Sequence, residues 1–443
     1  MVPSASGHLN PAVCLAHELV KNQGMHVTVF GTEKYRNLIE KSGSVYRAYS
    51  NYDMDGMVPK EGKVKPSDFF NFLINTGIRL LPELKEYCNK EKPDLIIFDN
   101  LSMHSRYLYS YLKNQHSKNK LSYPLPKFMI LYSSFAQKPN IYPNKDEMKM
   151  VFENLGPGVV VSMISACIKQ FRTNKKLGLD LPLNPIESMG PIDEMNICCV
   201  FHELQPKADN MIDKIKFVGP FLAEEVRNDN ITNEKLKELM RKYEPRNPNE
   251  PSIANTKSKL VYASLGTIFN NKINVFERII DAIKTFDQEP NKEIKSSDLD
   301  VVISVGKDVY ETFQHKIKNE NYKIPENILI LPSVPQIEIL KRASLFITHA
   351  GMNSTSETIH YGVPVICIPI MADQPLNSYR ICDELEMGKK LNYENFTSNQ
   401  LRKDLHEVLQ NEKYLKNVLE FTELSRKTNG CALAGNIIKN YIN

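Results

Sequence analysis

Tryptophan is absent from this chain of 443 residues, and none of its 8 cysteines stands in a Cys-x-x-Cys pair. The missing pairs leave metal ribbons and disulfide frameworks without support. With several cysteines inside apolar runs, reduced thiols in a cytoplasmic protein are the expectation. No signal-peptide pattern follows Met1 and no apolar run reaches about twenty residues, which argues against secretion and against a membrane anchor. An overall excess of one charge is missing too: 56 basic and 52 acidic residues leave +4, so charge calls for neither nucleic acid nor a membrane surface. No Gly-x-Gly-x-x-Gly follows a strand and no Walker lysine occurs, which sets dinucleotide oxidoreductases aside. Internal repeats and low-complexity tracts are also lacking.

The composition, 42% hydrophobic and 24% charged, is that of a globular protein, and the length exceeds one ordinary core. From Pro11 to Tyr132 helix and strand patterns alternate: a helix over Ala12–Lys21, a strand at Met25–Gly31, a helical region around Phe69–Cys88, and strands at Leu95–Asp99 and Lys127–Tyr132. Such alternation implies a parallel sheet wrapped by helices. Periodicity fades between Ser133 and Asn196, where Gly156-Pro157-Gly158 breaks the chain and mobile loops and helices are expected. A last strand at Phe217–Pro220 closes this set. A second set has strands at Leu260–Ser264, Asp300–Val305, Ile328–Leu331, Leu345–Thr348 and Val365–Pro369, then helices near 398–411, 413–427 and 432–442. The fold class read from this is α/β, with a Rossmann-like domain at 1–222, a charged linker at 223–258, a second Rossmann-like domain at 259–425 and a terminal helix at 426–443. One element is out of place. A buried strand should open the first domain, yet only Met1-Val2-Pro3 precede the Ser6-Gly7-His8 turn, so that strand is expected to be largely missing, as from an incomplete gene reading.

The densest chemistry lies between Ser333 and Gln374. The strand-like run Leu345–Thr348 leads into His349-Ala350-Gly351-Met352-Asn353-Ser354, a tight turn opening a helix to about Tyr361. A helix start at a strand's carboxyl end offers unpaired N–H groups and about half a positive charge to a phosphate. Gly351 lets the backbone approach a ligand, Asn353 and Ser354 can cap the helix or bond phosphate oxygens, and His349 adds a donor. One turn on, Glu357 can hold ribose hydroxyls, and after Val365–Pro369 the pair Asp373-Gln374 can bond the hydroxyls of a sugar.

This ordered set resembles the signature of the UDP-glycosyltransferases, the branch that includes bacterial macrolide glycosyltransferases and small-molecule enzymes of animals and plants. The resemblance implies the GT-B architecture, two facing Rossmann-like domains with a cleft between them and a last helix that crosses back to the first domain. It implies a UDP-sugar co-substrate, UDP-glucose being expected, with no further cofactor. The acceptor is then a small lipophilic molecule bearing a hydroxyl, held by the N-terminal domain of a monomer. Aromatic and apolar residues near Phe69–Phe72, Phe135 and Val159–Ile168 are candidates for its lining. Gly266 and Thr267, in Ser264-Leu265-Gly266-Thr267, match the family's phosphate-contacting loop. His8 and Asp99 match its catalytic pair.

Glycosyl transfer needs a base for the acceptor proton and a partner for charge on the departing diphosphate. His8 is the base candidate, with Asn10 and Pro11 as N-cap and first residue of the helix behind it; an imidazole pKa near 6.5 suits neutral pH. Asp99, ending an apolar strand 91 positions later, is placed to orient the imidazole, while Asp94 at the strand's other end points away. No carboxylate cluster stands beside the diphosphate site to hold Mg²⁺, so metal-independent transfer is expected, and a single displacement inverts the anomeric centre. An epimerase of the same architecture and a non-catalytic UDP-sugar binder are the competing readings. Asp373-Gln374 and the Gly7-His8-Leu9-Asn10-Pro11 turn weigh against the first, and the His8–Asp99 pair against the second.

The departure from the family pattern is Ser333, where most members carry the tryptophan that stacks on uracil. Val334 can still offer backbone groups to the base, and Gln336 a side-chain bond to base or ribose. Aromatic stacking on a base is worth about 1–3 kcal/mol. Ser333→Trp is therefore expected to tighten UDP binding by roughly tenfold or more in calorimetric titration; an unchanged affinity means that something else covers the base.

Overall fold

Apolar strands without alternation must be covered on both faces, and here helices do the covering. The computed structural model describes residues 1–3, 5–50, 52, 66–153, 159–222, 224–227, 230–245, 258–266, 272–290 and 292–443. The chain forms two units, residues 1–227 with 428–443, and residues 228–427. Among the described residues no helix is long and apolar enough to cross a membrane.

In the first unit, β1 (Thr28–Gly31) pairs with β2 (Val45–Ala48), and β3 (Leu95–Asp99), β4 (Lys127–Tyr132), β5 (Met195–Cys198) and β6 (Lys216–Phe217) form a sheet in that order, every pair parallel. The expected gap at the first strand has a definite form. Met1 N donates to Ile97 O at 2.8 Å and Asp99 N donates to Met1 O at 3.2 Å, a parallel bridge opposite Phe98. Val2 is buried with Leu9, Val13 and Val29. The helix that follows begins at Ser6, not at Ala12, so His8 lies in its first turn and Pro11 inside it. Pro11 there forfeits one bond, to Gly7 O, near the free end of the helix where the ladder is shortest.

The region 133–196 is more helical than its sequence suggests, with helices at Lys145–Glu153 and Val159–Leu177. The second of these buries Ser162, Ala166, Gln170 and Thr173, so its inward face is small and polar and carries no apolar period. The helix Gly430–Ile442 belongs to the first unit, where Ala434 and Ile438 join Leu15, Leu19, Met129 and Leu131 in one core. Cys431 on this helix is disulfide-bonded to Cys14, which corrects the expectation of reduced thiols throughout.

The second unit holds β7 (Lys259–Ser264), β8 (Leu299–Ser304), β9 (Ile328–Leu331), β10 (Leu345–Thr348), β11 (Val365–Cys367) and β12 (Gly388–Lys390). Their spatial order is β12-β11-β10-β7-β8-β9, all parallel, which is the doubly wound Rossmann order. The first strand β7 sits in the middle, and the chain reverses direction across the sheet between β7 and β10. Val261, Ile303, Ile347 and Ile366 from the strands pack with Phe276, Ile280, Phe313, Leu401 and Leu405 from the helices. Each such side chain contributes about 1.5–3 kcal/mol by leaving water. Asn233 caps the helix Glu234–Met240 at 3.0 Å to Leu236 N, within the segment read as linker.

Gly430 shows how closely the terminal helix is seated. A Cβ there would lie 2.6 Å from Gly219 O and 2.7 Å from Pro220 O, both rigid backbone atoms. Gly430→Ala is expected to destabilise the first unit by about 1–3 kcal/mol, read as a lowered midpoint in thermal or urea unfolding. No shift in midpoint would mean that the helix start has room to move.

Candidate active site

Asp99 is the last residue of β3, fully buried, and the register of β4 sets Leu131 beside it, two residues before Ser133. A buried carboxylate must fill its acceptor sites. Asp99 Oδ1 accepts from Leu101 N at 2.9 Å; Oδ2 lies 2.8 Å from His8 Nδ1 and accepts from Ser133 Oγ at 2.7 Å. Ser133 Oγ is also 2.8 Å from His8 Nδ1, closing a triangle of three polar groups. Burial alone would raise the Asp99 pKa, but the His8 charge and these hydrogen bonds outweigh it and hold the carboxyl below its ordinary value. His8 is brought to it by the first turn of the helix Ser6–Lys21, where His8 N and Leu9 N both donate to Ala5 O. The structure thus brings together His8 and Asp99. It adds Ser133, which the sequence analysis overlooked. Its signal was its place, the first residue past the carboxyl end of a strand adjacent to Asp99.

In the second unit Gly266 follows β7, and His349, Gly351, Asn353, Ser354 and Glu357 follow β10, at the switch point where open α/β sheets bind ligands. Ser333, Val334 and Gln336 follow β9, and Asp373 and Gln374 follow β11. The helix Met352–Tyr361 starts from Gly351 as N-cap, without a side-chain cap. Asn353 and Ser354 therefore stand in the first turn instead of capping it, at the helix end whose dipole suits an anion. Gly266, with φ +79°, and Gly351 flank the His349 ring. A Cβ on Gly266 would fall 2.7 Å from His349 Nε2, and one on Gly351 2.6 Å from it. Both glycines are needed for the ring to sit between them. Burial lowers the His349 pKa to about 4, against an opposing pull from Asp373, so this imidazole is neutral at neutral pH. Among the described residues its buried Nδ1 has no hydrogen-bond partner.

Gln336 Nε2 donates to Glu357 Oε2 at 2.6 Å and reaches Ser354 Oγ at 3.3 Å, while Tyr262 OH donates to Gln336 Oε1 at 3.2 Å. Gln336, Ser354 and Glu357 form one cluster as a result. Ser333 is exposed on the loop after β9, with Val334 half-buried beside it. Thr267 lies outside the described residues.

The loop after β11 carries Asp373 and Gln374. Gln374 Oε1 accepts from Ile370 N at 2.8 Å and Met371 N at 3.1 Å, so its oxygen shapes the loop and its amide group remains the part able to meet a ligand. Asn377, one helical turn beyond Asp373, was not singled out from the sequence. Its Nδ2 donates to Asp373 Oδ2 and to Ala350 O, both at 2.9 Å. Ala350 has φ +62°, a left-handed conformation that costs a non-glycine residue of the order of 1 kcal/mol and persists only where neighbours impose it. Thr348 and Asn377 are those neighbours, bonding Ala350 N–H and C=O respectively.

Asp-x-Asp triplets occur at Asp53–Asp55 and Asp298–Asp300. The first is outside the described residues. In the second, Asp298 accepts from Lys295 N, and Asp300 accepts from Tyr243 OH, at the amino end of β8 and so at the edge opposite the cradle. A cavity of about 440 Å³ in the first unit is lined by Thr32, Glu33, Tyr46, Ala48, Tyr49, Tyr52 and Arg79, none of them a residue proposed for the site.

Two Rossmann-like units, one with a phosphate-type cradle at its switch point, define the GT-B class. Comparison with known proteins agrees. Residues 304–429 match the family model of UDP-glucuronosyl and UDP-glucosyl transferases. The chain is 28% identical to the NDP-glycosyltransferase YjiC of Bacillus subtilis, over 97% of this chain and 93% of that protein. It is 26% identical to the uncharacterised UDP-glucosyltransferase YojK of the same organism, over 98% and 94%. The calicheamicin glycosyltransferase CalG4 superposes with a TM-score of 0.70 at 18% identity, covering 100% of this chain and 96% of that one. The chain is thus similar over nearly its whole length to UDP-sugar-dependent glycosyltransferases, and it is a transferase.

Asn377→Ala removes the clamp on Ala350 and leaves the turn free to relax from its strained form. UDP affinity by calorimetry is expected to fall about tenfold, the scale of one lost hydrogen bond to a preorganised turn. Wild-type affinity in this variant would show that the cradle holds its shape without Asn377.

Proposed function

We propose that this protein transfers a sugar from a UDP-sugar, UDP-glucose in the first instance, to a hydroxyl of a small lipophilic acceptor, with inversion and without a metal ion. The observation that carries this reading is the 2.8 Å contact of His8 Nδ1 with the fully buried carboxylate of Asp99. A proton held at Nδ1 leaves the lone pair on Nε2, and that nitrogen takes the acceptor's hydroxyl proton. The acceptor oxygen attacks the anomeric carbon from the face opposite the diphosphate. The bond from that carbon to the diphosphate oxygen breaks, and UDP leaves with the electron pair. Asp99 stabilises the imidazolium, and Ser133 holds both partners in register.

On the donor side, the opening amides of the helix Met352–Tyr361, with Asn353 and Ser354, take the diphosphate. His349, neutral at working pH, adds a hydrogen bond and no positive charge. Glu357 and Gln336 suit the ribose, and Asp373 and Gln374 the hydroxyls of the sugar. Gly266 and Thr267 fit the loop that meets the phosphates, and the backbone of Val334 the base. With Ser333 in place of an aromatic ring, selection of the base rests on hydrogen bonds, and other nucleoside diphosphate sugars become plausible donors.

The test is incubation with UDP-glucose and a panel of phenols, flavonoids and macrolides, with hexose addition followed by mass spectrometry. Wild type is expected to transfer equally well with and without a chelator, and His8→Ala to lose about 100-fold or more. Ser133→Ala is expected to lose about tenfold in kcat at unchanged KM for the donor. Transfer surviving in His8→Ala removes His8 as the base. UDP release without glycoside points to hydrolysis or epimerisation, and binding without turnover to an inert module.

A further inference from the structure

The helix Val159–Leu177 of the first unit is packed inside out. Its buried side is Ser162, Ala166, Gln170 and Thr173, while Val161, Ile164, Ile168 and Phe171 are 72, 56, 48 and 55% exposed. The inward polar groups are satisfied: Gln170 accepts from Tyr107 OH at 2.8 Å and donates to Asn174 at 2.7 Å, and Thr173 donates to Lys169 O at 2.9 Å. Val161, Ile164 and Ile168, candidates from the sequence for the acceptor lining, lie on the outward side. With Phe171 they follow i, i+3, i+7, i+10 spacing, so they share one face of the helix.

The same face continues into Arg172, Lys175 and Lys176, all exposed. The helix carries four cations, Lys169 among them, and no acidic residue. Among the described residues Arg172, Lys175 and Lys176 form no ion pair. A chain with a net charge of only +4 thus places four positive charges on one helix, three of them without an ion pair among the described residues.

An apolar stripe about 15 Å long that runs into a basic end fits a surface that is apolar within and anionic at its rim. Nucleic acid answers the charges and not the stripe. A second copy answers the stripe poorly: it covers less than two heptads, where a coiled coil needs three or four, and pairing in the same direction sets cation against cation. We propose that this helix lies on an anionic phospholipid surface, with Val161, Ile164, Ile168 and Phe171 dipping below the headgroups while Arg172, Lys175 and Lys176 bond their phosphates. The contact is peripheral and reversible, made by the outside of a folded helix.

Co-sedimentation of the full chain with phosphatidylcholine vesicles, with and without phosphatidylserine, tests this. Binding is expected only to the vesicles that contain phosphatidylserine, and to weaken as salt rises. Ile164→Asp with Phe171→Asp is expected to reduce it about tenfold or more. Lys175→Glu with Lys176→Glu, on solvated side chains that support no fold, is expected to do the same. Circular dichroism and UDP titration serve as checks that both variants remain folded. Equal binding by wild type and variants overturns the proposal, as does absence of binding to either vesicle. So does a wild-type dimer in sedimentation equilibrium that Ile164→Asp with Phe171→Asp converts to monomer, which assigns the stripe to a second copy.

Discussion

A carboxylate with no exposure to water is the fixed point of the first unit. Asp99 can stay ionised there only if every oxygen lone pair that matters is answered, and three groups far apart in sequence answer it: Leu101 N–H, Ser133 Oγ–H and His8 Nδ1. Each arrives by a different route. Leu101 follows directly from the end of β3, Ser133 comes with the neighbouring strand, and His8 with the first turn of the helix Ser6–Lys21. Parallel strands make this possible, because all their carboxyl ends meet at one edge. The extended Met1–Pro3 segment holds the same edge from the other side, through the bonds of Met1 to Ile97 and Asp99.

The second unit solves a different problem with the same sheet. A helix start favours an anion most where no side chain caps it, and Gly351 as N-cap brings none. The turn before it is held in a strained shape by Thr348 and Asn377, and the His349 ring occupies the space that Gly266 and Gly351 leave open. The cradle is thus set by backbone and packing before any ligand arrives, which is the condition for dipoles to stabilise charge without reorganising.

Much of this was legible in the sequence because the signals were local or periodic. The strands β7, β8, β9 and β10 announced themselves by short, mostly apolar runs, and Asp99 as the polar end of another. The misread parts have physical reasons. The Asn10-Pro11 dipeptide imitates a helix start, yet the helix opens at Ser6 because Ala5 O accepts two amides upstream of it. Asn353 imitates a cap but stands inside the first turn. The helix Val159–Leu177 buries its polar side, so a reading that expects apolar residues inward finds no period. Ser133, Asn377 and the Cys14–Cys431 bond depend on partners 34, 27 and 417 positions away, which no local window can pair.

The two imidazoles work from opposite protonation logic, and burial decides which. In the proposed reaction the His8–Asp99 pair starts with one negative charge, on a fully buried carboxylate beside an imidazole that is 21% exposed. Proton uptake by His8 in that reaction neutralises the charge in place. Among the described residues His349 has no such partner within hydrogen-bonding distance of its Nδ1, and burial therefore drives its pKa down to about 4. A cation at that place would bind the donor's diphosphate before reaction nearly as strongly as the product's. In the proposed transfer a neutral ring and the helix start discriminate by geometry, gaining most as charge grows on the departing oxygen. That difference between ground state and transition state is what accelerates a transfer.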